Sequence, residues 1–404
     1  MIKQFLYRIF QPRHFWRDAT FSQVADLYAS RTLREAAIYI GAGFTSVYLY
    51  KANYNVVFIM SFWAIIYFGK AVLTPIAGLI VARIGTAHGT LISNLLYIPA
   101  MLAIGSMPNL GLNAIIIFAI CMAASGTLYA VCYLVEFSKV KNPIHAGKEI
   151  GFMNMLERVT IAISPIIGGI IALFFGLQVT MWVASLLFVL SAVPLFKSTS
   201  QSEKRQSITI RGFPWRMVFN SLIARSCEGF DVVATTIVWG LFIVILIFPT
   251  SGDDIYVILG VLSSVMILVA IIISIIYGKI IDKNKGGNLL KIGVFSNSLV
   301  HLSRIFVTTP LNVVSVNVAN ETATTAQNMA FMRGMLDTAD ISGHRIMYLV
   351  SIEFMNSIGA MLASIAMILC AISFEEITSF RVFFVIAAVI ILGVGTARFP
   401  MYRK

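Results

Sequence analysis

The sequence predicts an all-α, polytopic membrane protein with twelve transmembrane helices in two six-helix halves. Three observations carry this expectation. Of 404 residues, 58% are hydrophobic and only 12% are charged, with a mean hydropathy of +0.87; a soluble domain carries about 25% charged residues. Apolar runs of bilayer-crossing length, about 20 residues, recur from end to end. The Lys and Arg residues sit at alternate ends of those runs. That placement accounts for the formal net charge of +12 and implies no nucleic-acid partner.

Residues 1–31 interleave Arg8, Arg13, Arg17 and Asp18 with Phe5, Phe10, Phe15 and Trp16, without the apolar core of a signal peptide. The pattern suits an amphipathic segment lying on lipid at the cytoplasmic surface, or a basic tail that only enforces orientation. Spans are then expected at 32–50, 54–82, 87–105, 110–137, 149–175, 177–196, 215–248, 255–281, 288–308, 311–336, 344–372 and 379–398. With the N-terminus inside, one set of loops carries Arg83, Lys139, Lys141, Lys148, Lys197, Lys204, Arg205, Arg211, Lys279, Lys283, Lys285, Lys291, Arg333, Arg345 and Arg398. The opposite loops hold Lys51 and Arg381 with Asp253, Asp254, Glu375 and Glu376. Both termini are therefore expected to be cytoplasmic, in a multi-pass protein of a bacterial inner membrane.

The polar, Ser-rich stretch from Lys197 to Arg211 reads as a cytoplasmic linker, 197–214, between an N-terminal half at 32–196 and a C-terminal half at 215–404. The halves share features. Ile150 opens the fifth span and Glu157 follows seven residues later; Ile346 and Glu353 repeat that spacing in the eleventh. Glu136 and Arg333 fall at the corresponding ends of the fourth and tenth spans. This points to a parallel repeat. Cys121, Cys132, Cys227 and Cys370 lie in apolar runs without a CxxC pair, as packed free thiols do. No metal-ligand, nucleotide-binding or nucleophile motif occurs, so no metal, cofactor or enzymatic activity is expected.

Two stretches add a resemblance. Gly78-Leu-Ile-Val-Ala82-Arg83-Ile-Gly85 follows the second span, and Gly278-Lys-Ile-Ile-Asp282-Lys283-Asn-Lys285-Gly286 follows the eighth. They resemble the G-x-x-x-D-[RK]-x-G signature of the major facilitator superfamily, at the two places where that family carries it. Ala82 replaces the acid of the first copy, and Lys285 displaces the second glycine of the other. The resemblance implies a twelve-helix secondary transporter whose cytoplasmic side is locked by charge pairs. Here the expected pairs are Asp282 with Arg333 and, with sign reversed, Arg83 with Glu136. Thr160-Ile-Ala-Ile-Ser164-Pro165-Ile-Ile-Gly168-Gly169 is similar to the G-x-x-x-G-P-x-x-G-G motif of the family's proton-coupled exporters, although ordinary close helix packing accounts for the same residues.

The family's first, fourth, seventh and tenth spans line its cavity. In the seventh span Arg225, Glu228 and Asp231 lie three residues apart on one helical face, at a depth where each charge costs about 2.5–3.5 kcal/mol on insertion scales. Asp231, nearest the middle, is the expected proton carrier, with Glu228 and Glu321 as companions. Arg225 is expected as a substrate counter-charge, or as the structural partner of Glu228. Span ten is dense in amides and hydroxyls, and Asn317, Asn320, Thr324 and Asn328 are expected on a polar substrate path, with interhelical hydrogen bonding as the alternative. Arg34, Glu35 and Tyr39 of span one, nearer the cytoplasmic end, suit a gate or a snorkelling charge, with Glu35 and Tyr39 also expected on the substrate path. Glu157 and Glu353 suit structure or coupling. Lys70 meets a substrate anion, meets an acid across the cavity, or snorkels. His301 is expected to be a packed histidine, because the resemblance implies that the ninth span is peripheral. The leading functional expectation is proton-coupled export of a small organic solute by a monomer surrounded by membrane lipids. Proton-linked uptake of a polar metabolite, and a lipid flippase or non-transporting membrane protein, stand as alternatives.

Overall fold

In the computed structural model, residues 21–139, 146–197, 211–249, 252, 254–281 and 285–402 are described. Among them the chain is helical with no strand, and its helices overlap the expected spans. The first, α1, runs Phe21–Ile40 and continues through a 3₁₀ turn at Ala42–Phe44 into Thr45–Lys51. It begins earlier than the expected residue 32 because no Gly or Pro interrupts residues 21–40. Gly41 and Gly43 then loosen it at the turn. The others are α2 (Val56–Ile84), α3 (Thr86–Gly105), α4 (Leu112–Lys139), α5 (Ala146–Phe175) and α6 (Leu177–Lys197). The second set is α7 (Trp215–Ile247), α8 (Asp254–Ile280), α9 (Gly286–Arg304), α10 (Pro310–Ile341), α11 (Arg345–Ser373) and α12 (Glu376–Thr396). Local chemistry sets several ends. Asn55 caps α2 by accepting from the amide of Phe58. Thr309 caps α10 in the same way, with Pro310 in its first turn.

Eight of these segments are long and apolar enough to cross a membrane: α2, α3, α4, α6, α7, α8, α11 and α12. Three of the others, α1, α9 and α10, carry most of the buried amides and cations described below, which lowers their hydropathy. The outward faces are apolar. On α2, Ile65, Phe68, Val72 and Ile76 form an exposed stripe at helical spacing, and Val265, Leu268, Ile272 and Ile276 form its counterpart on α8. A soluble bundle would place charge there; lipid requires none.

Packing repeats along the chain. α3 packs on α4 and α6, as α9 packs on α10 and α12. α1 packs on α5 and α6, as α7 packs on α11 and α12. Two further crossings, α5 with α8 and α2 with α11, join the first six helices to the last six. Glycine makes the close approaches possible. A Cβ on Gly169 would lie 2.6 Å from the carbonyl oxygen of Tyr256, and one on Gly260 2.6 Å from that of Pro165. Gly168 leaves no room against the Ile40 carbonyl, nor Gly229 and Gly359 against the carbonyls of Asn356 and Ser226. The Ser264 hydroxyl adds a hydrogen bond to the Ala162 carbonyl across α8 and α5.

The two sets of helices are drawn together at the end that carries Lys51. The Lys51 ammonium donates to the Gly252 carbonyl at 2.5 Å. Phe44 meets Tyr256 edge-on at 5.5 Å, and Thr45–Lys51 packs against Trp239–Phe242. One apolar cluster fills this region, built on Phe44, Trp63, Trp239, Phe242, Phe380 and Phe384. A second cluster, with Phe213, Phe331, Tyr348 and Phe399, lies towards the other end. There α4 and α10 are not among the closely packed pairs.

Candidate functional site

Among the described residues, three polar assemblies occupy the interior. The most extensive forms around Asp231, the middle residue of α7. Its Oδ1 lies 2.6 Å from Nε2 of His301, and its Oδ2 accepts from the Asn297 amide at 3.0 Å. The Thr235 hydroxyl reaches Oδ1 at 3.3 Å, from a π-helical turn at Ala234–Val238. Nδ1 of His301 lies 3.0 Å from an Arg304 guanidinium nitrogen, and the other terminal nitrogen donates to Asn320 Oδ1 at 2.8 Å. Asn297 also donates to Gln327 at 3.3 Å, and Trp239 Nε1 donates to Asn317 at 2.7 Å. Arg304 sits over the rings of Trp239 and Phe384, 5.0 and 5.6 Å from their centroids. His301 and Arg304 are fully buried, and Asp231 is 6% exposed.

Helical spacing explains this arrangement. Asn297, His301 and Arg304 recur at i, i+4 and i+7 and therefore share one face of α9. That face meets α7 and α10 through the hydrogen bonds just described. With the imidazole neutral, the charges of Asp231 and Arg304 cancel. One added proton leaves a net positive charge on buried groups, where charge is costly.

The second assembly surrounds Arg34 of α1, which is 1% exposed. Its guanidinium donates to Asn94 Oδ1 at 2.6 Å and to the Ser125 hydroxyl at 3.4 Å. It stacks over Tyr129 at 3.8 Å, with the Tyr97 and Phe188 rings at 5.4 and 5.6 Å. Asn94 in turn donates to Ser30 at 3.2 Å, while Ser93 and Ser125 bond reciprocally across α3 and α4. Among the described residues no carboxylate pairs with Arg34.

The third assembly bridges the first and second sets of helices. Lys70, the middle residue of α2, lies 3.7 Å from Glu353 Oε1 on α11. On α7 Arg225 and Glu228 pair at 2.7 Å. Glu353 is within electrostatic reach of both, because Gly229 and Gly359 let α7 and α11 meet backbone to backbone.

A family model described as Major Facilitator Superfamily matches residues 35–337, three quarters of the chain. The chain belongs to the major facilitator superfamily. It is thus a secondary transporter in general terms, an integral, multi-pass membrane protein that acts on a small-molecule substrate. No curated protein matches it.

Within this superfamily fold the expected site residues separate. Arg225 and Glu228 form the expected local pair. Asp231 is enclosed by α9 and α10 rather than facing open space, because His301 and Asn297 occupy both of its oxygens. Asn317 and Asn320 accept helix–helix hydrogen bonds from Trp239 and Arg304, the alternative expected for them. Thr324 bonds its own helix, at the Asn320 carbonyl, 2.8 Å away. Glu321, Glu35 and Tyr39 are part-buried, and Asn328 is exposed. Glu321 accepts from Thr325 at 3.2 Å. The expected Arg83–Glu136 ion pair is absent: Arg83 is exposed, and Glu136 accepts a hydrogen bond from the Thr86 hydroxyl. The helix end turns at Gly85, φ 84°, and brings Thr86 rather than Arg83 over the carboxylate. Asp282 and Lys283 lie outside the described residues, so their relation to Arg333 does too, as does the side chain of Glu157. Gly78, Pro165, Gly168 and Gly169 take helix-packing positions, with Gly78, Gly168 and Gly169 buried.

His301, Arg304, Asn297 and Trp239 are network members that the sequence pattern does not single out for a site. The polar i, i+4, i+7 pattern on α9 was the available signal. It was overridden by the expectation that the ninth span is peripheral.

Proposed function

We propose that the chain is a proton-coupled exporter of a small organic solute, working by alternating access between a half at 32–196 and a half at 215–404. The observation that carries the coupling is the 2.6 Å contact between Asp231 and His301 within an enclosed network. A proton held between carboxylate and imidazole changes the net charge of that network by one unit. Three helices, α7, α9 and α10, supply its members, so the change acts on their packing. Export is the direction suggested by the likeness of the Pro165, Gly168 and Gly169 stretch to the motif of proton-coupled exporters; Gly168 and Gly169 also permit the close crossings of α5 with α1 and α8. The proposed setting is a bacterial inner membrane with both termini cytoplasmic.

Liposomes holding the purified protein, with an imposed pH gradient and a panel of solutes, test this. Uphill solute movement against proton flow is expected. Co-directional movement would indicate uptake, and no movement with or without the gradient would remove the reading. Asp231→Asn is expected to lose gradient-driven accumulation while solute exchange persists. Unchanged accumulation in that variant would remove Asp231 from coupling.

A further inference from the structure

The bridge between the two sets of helices is asymmetric in a way that a simple latch is not. It contains two cations, Lys70 and Arg225, and two acids, Glu228 and Glu353. The side chains of the cations are 17% and 18% exposed, whereas those of the acids are 4% and 7% exposed. The accessible face is therefore cationic although the group as a whole is neutral.

The donors are also underused. The Lys70 ammonium has three, and among the described residues it makes no hydrogen bond; its distance to Glu353, 3.7 Å, is that of a loose ion pair. Its other close neighbour is the face of the Tyr67 ring, 5.5 Å away. Arg225 spends one terminal nitrogen on Glu228, and its Nε is buried without a partner. Gly126 of α4 lies beside Lys70, where a Cβ would stand in ordinary contact, 4.0 Å from the ammonium.

The buried Arg225 Nε without an acceptor is costly, and the part-exposed Lys70 ammonium is open to an acceptor; a ligand bringing acceptor oxygens would gain charge-assisted hydrogen bonds from both cations. We propose that Lys70 and Arg225 form a binding site for the anionic group, carboxylate or phosphate, of a small organic acid or zwitterion, with Glu353 as the counter-ion that the ligand displaces from Lys70. Because Lys70 lies on α2 and Arg225 on α7, the ligand would tie the first set of helices to the second. This deepens the transporter reading above and rests on it.

Equilibrium binding to the purified full-length protein tests the site without requiring transport. The probes are succinate and glycerol 3-phosphate, against succinamide and glycerol as uncharged counterparts. At least one anion should bind while its counterpart does not. Lys70→Gln should weaken that binding about tenfold or more, and Arg225→Gln likewise. Glu353→Gln should strengthen it, because the competitor is gone. The exchange of Lys70→Glu with Glu353→Lys keeps an ion pair between the same helices and should still abolish anion binding. Thermal unfolding in the same detergent checks that each variant is folded. Equal binding of the uncharged probes, binding of no anion, weaker binding by Glu353→Gln, or wild-type binding by the exchanged pair would overturn the site. Binding without solute movement in liposomes would leave the site standing and remove the transport reading; accumulation of only neutral or cationic solutes would do the reverse.

Discussion

Arg34 and Asp231 both lie on the first helix of their sets: Arg34 is held by the third and fourth helices and faced by Phe188 of the sixth, whereas Asp231 is held by the third, whose Arg304 in turn reaches Asn320 of the fourth and lies over Phe384 of the sixth. The chemistry around them differs. Arg34 is a permanent cation caged by an amide, a hydroxyl and aromatic faces. Asp231 faces an imidazole that is itself held by a guanidinium. The first cage holds a fixed charge; on the proposed reading the second changes one, so that one site serves as an anchor and the other as a switch.

The largest effect that tests this contrast is loss of the cation in the second cage. Arg304→Met leaves Asp231 buried without compensation, which should cost about 3–5 kcal/mol and abolish transport. Adding Asp231→Asn to that variant removes the stranded charge and should restore most of the stability, read as thermal unfolding in detergent. If the double variant is no more stable than Arg304→Met alone, the two charges are not coupled and the second cage is not an ionic unit.

A smaller pair of effects separates anchor from switch directly. Arg34→Leu leaves Asn94 and Ser125 without their buried partner, at about 1–3 kcal/mol. The remaining protein should keep the wild-type dependence of transport rate on pH. His301→Gln preserves a hydrogen-bonding group near Asp231 and should cost less, about 1 kcal/mol. It should nonetheless flatten the pH dependence. A flattened profile in Arg34→Leu, or a wild-type profile in His301→Gln, would reverse the assignment.

Much of the fold was legible because bilayer physics constrains sequence strongly. Span length, alternating basic loops and the paired glycines of α5 are imposed by lipid and by helix contact. The cages were legible only in part. Asp231 stood out because a charge at mid-span is costly. Asn317 and Asn320 stood out as polar, but periodicity does not say whether an amide faces a solute or another helix. The α9 face failed for a different reason. Its residues, Asn297, His301 and Arg304, are spaced as an interior stripe, yet a helix at the edge of the expected bundle was assumed to present packing only. Arg34 was visible as a charge near one end of a span; that α1 starts at Phe21 moves it well into the helix.

The smallest expected effect concerns the helix ends, where an ion pair in the first half was expected to mirror one in the second. Arg83 is exposed and Glu136 is engaged by Thr86. A double-mutant cycle on Arg83→Ala and Glu136→Ala should therefore show additivity within about 0.3–0.5 kcal/mol. Thr86→Val, by contrast, removes the hydroxyl that meets the carboxylate and should lose about 0.5–1.5 kcal/mol, an effect that disappears when Glu136→Ala is already present. Coupling of Arg83 with Glu136 above that threshold would mean that the two meet in another state of the transport cycle, and the first half would then carry a moving contact as well as a fixed one.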